Sequence, residues 1–296
     1  MNLSVDRSGE LRYSVIEQPG LLVAVHDGVE LRADAFIPNG EGPFPAFVMV
    51  HGGAFVKGDR SSYAPWGRFL AANGYAALST SYRLATADRT TYPEAIWDVK
   101  AAVQLVRGSA AELRVDPARI GILGGSAGGY LAAMVALTAT DPAFANPYPD
   151  PFQDVSAAVS VAVPMAGLFD LVACWEYDRV SRPPGDQPLE RYLGGTPLTE
   201  RRRYYEASPV FHASAANATG TRWLITWGMS DEVVPPASNS EALVRDLQLA
   251  GALVRVAPIP GAGHFWYMEG EVLEPGAISA RFASRLLGFL RTWSGW

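Results

Sequence analysis

Residues 119–137 read RIGILGGSAGGYLAAMVAL, and no other stretch restricts the fold of this chain as tightly. An apolar run of strand length passes through Gly124-Gly125-Ser126-Ala127-Gly128 into a run of small and apolar residues of helix length. A turn that joins a buried strand to a helix in so few residues forces Ser126 into a strained backbone conformation. It also brings positions 124 and 128 too close together to carry a Cβ, which accounts for glycine at both. The serine hydroxyl then stands at the carboxyl end of the strand, with the N–H of Ala127 at the start of the helix beside it. In this strand–turn–helix context G-x-S-x-G is the pattern of a nucleophile elbow. The competing reading of a Gly-rich turn here, a phosphate loop, needs Gly-Lys-Ser/Thr, which is missing.

The rest of the chain supplies the setting that such a turn requires. Strands are expected at 21–26 and 29–38 around the hairpin signal Asp27-Gly28, then at 46–50, 75–81, 119–123, 155–165, 221–228 and 253–259. Helices are expected at 62–73, 92–113 with Pro93 in the first turn, 127–139, 237–251 and 278–292. Strands alternating with helices imply an α/β fold: a mostly parallel sheet covered by helices on both faces, with the hairpin as an antiparallel edge. The 296 residues are read as one domain, 1–296. Residues 168–208 break the rhythm, are rich in Pro, Gly, Arg and Tyr, and are too long for a plain connection, so a cap or lid is expected there.

Composition narrows the partners. Hydrophobic residues make up 49% and charged residues 18%, enough to bury a large core, yet no apolar run reaches the roughly 18 residues of a membrane span. A net charge of −6 argues against nucleic acid as a partner. The N-terminus lacks the basic-then-apolar layout of a secretion signal, and the single cysteine, Cys174, excludes an internal disulfide. Both fit a cytoplasmic protein.

A serine nucleophile needs a base, and the base a carboxylate. His26 ends a strand and His212 sits in a turn, whereas His51 and His264 lie on loops after strands, on the edge where the elbow opens. The chain order Ser, acid, His selects His264. Asp231, just beyond 221–228, is the expected acid, with Glu232 its rival. Asp170 is read as part of the inserted segment. The glycines of His51-Gly52-Gly53-Ala54-Phe55 let the backbone approach a ligand, and His51 is read as a brace for that loop.

Together VMVHGGAFVKGDR, SYRLA, GILGGSAGGYLAA, YLGGTP with YYEASPVFHASA, GMSDEVVP and GAGHFW resemble an α/β-hydrolase over roughly residues 20–295. The branch resembled holds hormone-sensitive-lipase-like carboxylesterases together with feruloyl-esterase-like and arylformamidase-like enzymes. That resemblance implies Ser126, Asp231 and His264 as a triad, with Gly52, Gly53, Ala54 and Ala127 around an oxyanion hole. The reading of the residues is a serine hydrolase that forms an acyl-enzyme with no metal and no organic cofactor, and a cap at 168–208 closing an apolar pocket of limited depth points to a short-chain or aromatic ester. The expected partners are a small-molecule ester and, as an option, a second copy in a homodimer, with no membrane. Phe55, Tyr63, Trp66, Tyr82, Trp175 and Trp266 are the expected pocket aromatics. Amide hydrolysis, acyl transfer or lyase chemistry, and a catalytically silent binding protein stand as alternatives. The sequence departs from the branch at Ala54, where many relatives have a third glycine, at Gly125, where many have Asp, and at Trp227, where many have His.

Overall fold

The computed structural model describes residues 13–183, 185–268, 270–274 and 276–294. Eight strands form one sheet: β1 (Val15–His26), β2 (Val29–Pro38), β3 (Phe44–Val50), β4 (Ala76–Thr80), β5 (Val115–Gly125), β6 (Val161–Met165), β7 (Arg222–Ile225) and β8 (Leu253–Val256). Their order is β1-β2-β4-β3-β5-β6-β7-β8, with β1–β2 and β2–β4 antiparallel and every later pair parallel. All seven residues of β3 are buried, as a strand covered by helices on both faces must be.

The helices are α1 (Ala64–Ala72), α2 (Glu94–Gly108), α3 (Ala127–Thr138), α4 (Leu171–Ser181), α5 (Pro188–Leu193), α6 (Arg201–Ala207), α7 (Ala215–Ala218), α8 (Ser240–Leu249) and α9 (Ile278–Ser294). Every residue of α3 is buried, so a helix apolar all round runs through the middle of the molecule. In α9 the residues Phe282, Leu286, Phe289 and Leu290 are buried at helical spacing and make a one-sided apolar stripe. Among the described residues no helix is long and apolar enough to cross a membrane.

After β3 the chain crosses through α1 to β4 on one side, then through α2 to β5 on the other. The strand order therefore reverses between β3 and β5. Loops that leave the carboxyl ends of these two strands diverge, and an open α/β sheet forms its crevice there. The two loops are those that carry His51 to Phe55 and Ser126.

Two strands differ most from their sequence pattern. β1 begins at Val15, six residues before the apolar run at 21–26, because Pro19-Gly20 masks a strand with a register shift between Gln18 and Leu21 and a left-handed Gly20. β6 is confined to Val161–Met165, since its pairing with β5 begins only at Gly121. The Asp27-Gly28 turn has the positive φ at both residues (50° and 76°) that a tight hairpin demands.

His26, fully buried at the end of β1, lies between two carboxylates: Nδ1 is 2.7 Å from Asp98 and Nε2 2.9 Å from Asp150. Arg83 binds the same Asp98 at 2.7 Å, and also Asp27. Burial alone would push the His26 imidazole down, but the hydrogen bonds and charges of Asp98 and Asp150 outweigh it and hold the group above its ordinary value. A raised folded value contributes stability that is complete below the unfolded value, about 6.5, and is lost as pH climbs through the folded one. Thermal melting from pH 6 to pH 9 should therefore cost the wild type more than His26→Gln; equal losses would remove His26 from the pH response.

Candidate active site

At the end of β5 Ser126 has φ 55° and ψ −123°, a conformation that costs on the order of 1–3 kcal/mol for a residue with a Cβ. The close approach expected around it is present. A Cβ on Gly124 would run into the Gly128 carbonyl, and one on Gly128 into the carbonyl of Val50 on β3. The turn is held by the Ser126 N–H, which donates to the Met165 carbonyl at 2.9 Å, and by Tyr130, whose N–H donates to the Ser126 carbonyl at 3.0 Å. Ser126 is left 9% exposed, at the floor of a crevice.

His264 comes from the loop after β8 and Asp231 from the loop after β7. His264 Nδ1 is 2.8 Å from Asp231 Oδ2, and His264 Nε2 is 2.9 Å from Ser126 Oγ. A carboxylate only accepts, so Nδ1 carries the proton; Nε2 then presents a lone pair to the serine hydroxyl. An imidazole held in that tautomer can take a proton from the hydroxyl and return it. Asp231 Oδ1 also accepts from the N–H groups of Val233 and Val234, both at 2.9 Å, which fixes the carboxylate within its own loop. Glu232 is exposed and points elsewhere, and Asp170 caps α4 by accepting from Val172 and Ala173.

The 51–55 loop crosses beside the elbow. Gly52 packs so close that a Cβ there would stand 2.9 Å from the Gly125 carbonyl. Gly53, Ala54 and Phe55 follow with φ of 121°, 54° and 67°, a left-handed run that closes with Val56 and Lys57 donating to the Gly53 carbonyl at 3.1 Å. Among the described residues the Ala54 N–H has no acceptor, and that of Ala127, first in α3, has none within its helix. His51 braces this loop, as its position suggests. Its Nδ1–H donates to the Gly52 carbonyl at 2.8 Å, its ring stacks on Tyr82 at 4.3 Å, and the Tyr82 hydroxyl donates to the His51 carbonyl. Burial pushes the His51 imidazole below its ordinary value, against that hydrogen bond, and so keeps it neutral.

Two adjoining cavities reach Ser126. The smaller, about 20 Å³, is lined by Phe55, Leu168, Cys174, Leu189, Val233 and Val234 among others. The larger, about 390 Å³, opens outward past Lys57, Asp178, Arg182, Glu232 and Phe265. Residues of α4 and α5 thus form one wall of the crevice. Arg182 Nε lies 2.8 Å from Asp178, one turn back, and its Nη1 3.3 Å from Asp186. Burial pushes the Asp178 carboxyl above its usual range, against the pull of that guanidinium.

Of the six aromatics expected around the pocket, Phe55 lines the smaller cavity, stacked on Tyr192 at 3.9 Å. The other five have different occupations. Trp66 and Trp266 pack on Phe282 of α9 at 5.9 and 5.1 Å. Tyr82 stacks on His51, Trp175 donates to Glu190, and Tyr63 lies behind Gly125. Part of the wall instead comes from Cys174 and Asp178, four apart on one face of α4, and from Arg182 just past its end, a spacing visible in the sequence once a helix is placed there.

The BD-FAE family profile matches residues 34–247, which takes in β2 through α8. The chain belongs to the BD-FAE family. Among the relatives of this BD-FAE chain is a probable carboxylic ester hydrolase, LipM, of Mycobacterium tuberculosis, 33% identical over 78% of this chain and 51% of its own length. The chain spans about half the length of the curated relatives it matches first. In fold it is similar to a truncated carbohydrate esterase from gut microbiota, with TM-score 0.79 and 23% identity over 97% of this chain and 99% of that one. A thermophilic esterase of Thermogutta terrifontis, Est2, gives TM-score 0.73 and 23% identity over 96% and 93%. The BD-FAE chain therefore has the mostly parallel α/β sheet of esterases, and its profile match ends 17 residues before His264.

Proposed function

We propose that this chain is a serine carboxylic ester hydrolase working through Ser126, His264 and Asp231, with residues 168–208 as its cap. One observation carries the reading: a buried imidazole bridges a strained serine at 2.9 Å and a carboxylate at 2.8 Å, on the floor of an open crevice. His264 takes the Ser126 proton as Oγ attacks the ester carbonyl. The N–H groups of Ala54 and Ala127, with Gly53 beside them, receive the oxyanion. His264 then protonates the leaving alcohol and activates the water that releases the acid. The family and the esterase relatives support the chemistry. An organophosphonate should label Ser126 stoichiometrically, and a panel of esters, anilides and formamides should show the ester turned over fastest. A protein that labels nowhere, or prefers the formamide, would displace the assignment.

The acyl group fits the small cavity, whose volume of about 20 Å³ leaves room for a short chain only. The alcohol fits the larger opening, past Lys57, Asp178, Arg182 and Glu232. Each buried methylene is worth about 0.8 kcal/mol, roughly fourfold in kcat/KM, only while the wall admits it. Along a p-nitrophenyl series kcat/KM should peak at acetate to butyrate and fall beyond, with long-chain triglyceride emulsions poor substrates. A steady climb to long chains would instead describe a lipase.

A further inference from the structure

The elbow of this chain has Gly125 directly before the serine, and the space beside it is filled from the His264 loop. A Cβ at 125 would collide with Cε2 and Cζ of the Tyr267 ring and stand 2.8 Å from the Tyr63 hydroxyl. Tyr267 follows His264 by three residues, and the two rings meet edge to face at 6.3 Å between centroids. Its backbone is pinned by the Trp66 indole N–H, which donates to the Tyr267 carbonyl at 2.8 Å, and its ring by Trp266 at 5.6 Å. The phenol is 3% exposed, and among the described residues its hydroxyl has no hydrogen-bond partner. A buried hydroxyl left in that state is destabilising, which the fold accepts next to its most reactive atom. Burial, and after it the Asp231 charge, push the phenol above its ordinary value against the opposing pull of the Ser126 hydroxyl, so the group stays protonated.

We propose that Tyr267 is a further catalytic residue, its hydroxyl donating to Ser126 Oγ as that oxygen loses its proton. The inference rests on the triad reading above. In the resting state Ser126 Oγ donates its proton toward His264 Nε2. When the proton crosses to Nε2 and Oγ forms its bond to the carbonyl carbon, the carbonyl π pair moves to the carbonyl oxygen. Negative charge passes through Oγ on the way, and the phenol whose ring fills the space at the preceding Gly125 turns its hydroxyl to that charge and stabilises it without giving up its own proton. The same bond assists deacylation, where the C–Oγ bond breaks and Oγ recovers its proton from His264. Catalytic hydrogen bonds that are poorly aligned in the free enzyme tighten in this way as charge develops. Gly125 is the residue that admits the ring; an aspartate there would exclude it.

Tyr267→Phe keeps the ring and removes only the hydroxyl. We expect kcat on an acetate ester to fall about ten- to a hundredfold, the worth of a hydrogen bond to a charged group, with KM unchanged. The rate of organophosphonate labelling at Ser126, which reads nucleophilicity without the substrate's alcohol, should fall by the same factor. Tyr63→Phe, whose hydroxyl faces the Gly125 backbone, serves as the control and should change both rates less than about threefold. Melting temperature identifies a variant that has lost packing rather than a donor. Wild-type labelling rate and kcat in a folded Tyr267→Phe protein would overturn the inference, as would a change confined to KM. Failure of the wild type to label at Ser126 would overturn the triad reading itself, and this inference with it.

Discussion

Ser126→Ala is expected to abolish ester hydrolysis while leaving the fold in place, and this is the largest effect the structure implies. The hydroxyl contributes a hydrogen bond to His264 and almost no packing, because Ser126 stands at the crevice floor with open space above it. Its removal takes away the oxygen on which the proposed mechanism forms its acyl-enzyme. In enzymes with such a triad the loss is about four to six decades in kcat. The strained backbone at 126 is held by Met165 and Tyr130 through main-chain atoms, so alanine keeps those bonds. Circular dichroism and melting temperature should stay close to wild type, and organophosphonate labelling should vanish with turnover. A folded Ser126→Ala protein that hydrolyses esters at the wild-type rate would end the mechanism.

The elbow was legible in the sequence because its cause is local. Gly124 and Gly128 must lack a Cβ whatever surrounds them, and the strand and helix around Ser126 carry unmistakable apolar runs. The parallel sheet was legible for a related reason, since β3, β6 and the second half of β5 are buried on both faces and are written in nearly unbroken apolar residues. The hairpin followed from Asp27-Gly28, although Pro19-Gly20 hid the first half of β1. The pocket was not legible, and the reason is geometric. An aromatic residue near a motif looks the same in sequence whether it faces the crevice or the core behind it. Trp66 and Trp266 face Phe282 on α9, a partner more than ten residues distant from either. The wall from α4 depends on how a short inserted helix is rotated, which its weakly apolar sequence does not dictate. Tyr267 shows both limits at once. Its neighbour Gly125 marks a departure in the elbow, but only the folded chain connects the missing side chain at 125 with the ring that occupies its place.

Asp231→Asn is expected to cost nearly as much as loss of the serine, and for a different reason. Asp231 makes two sets of bonds: Oδ1 accepts the N–H groups of Val233 and Val234, while Oδ2 accepts His264 Nδ1–H. An asparagine keeps the first set through its carbonyl oxygen, so the loop after β7 keeps its shape. Its amide NH₂ must then face His264 Nδ1 and can only donate to it. The imidazole answers by carrying its proton on Nε2, where it can no longer receive one from Ser126. The charge that would steady the imidazolium is also gone. In a triad, loss of this tautomer control lowers kcat by about four decades without moving the backbone. Asp231→Ala would be a poorer test, because it also strips the loop of its two internal bonds. Glu232→Gln supplies the contrast: its side chain is exposed at the rim of the crevice, and its removal should change kcat less than about threefold. If Glu232→Gln proved the crippling change and Asp231→Asn the mild one, the imidazole would be oriented by a carboxylate other than the one lying 2.8 Å from it.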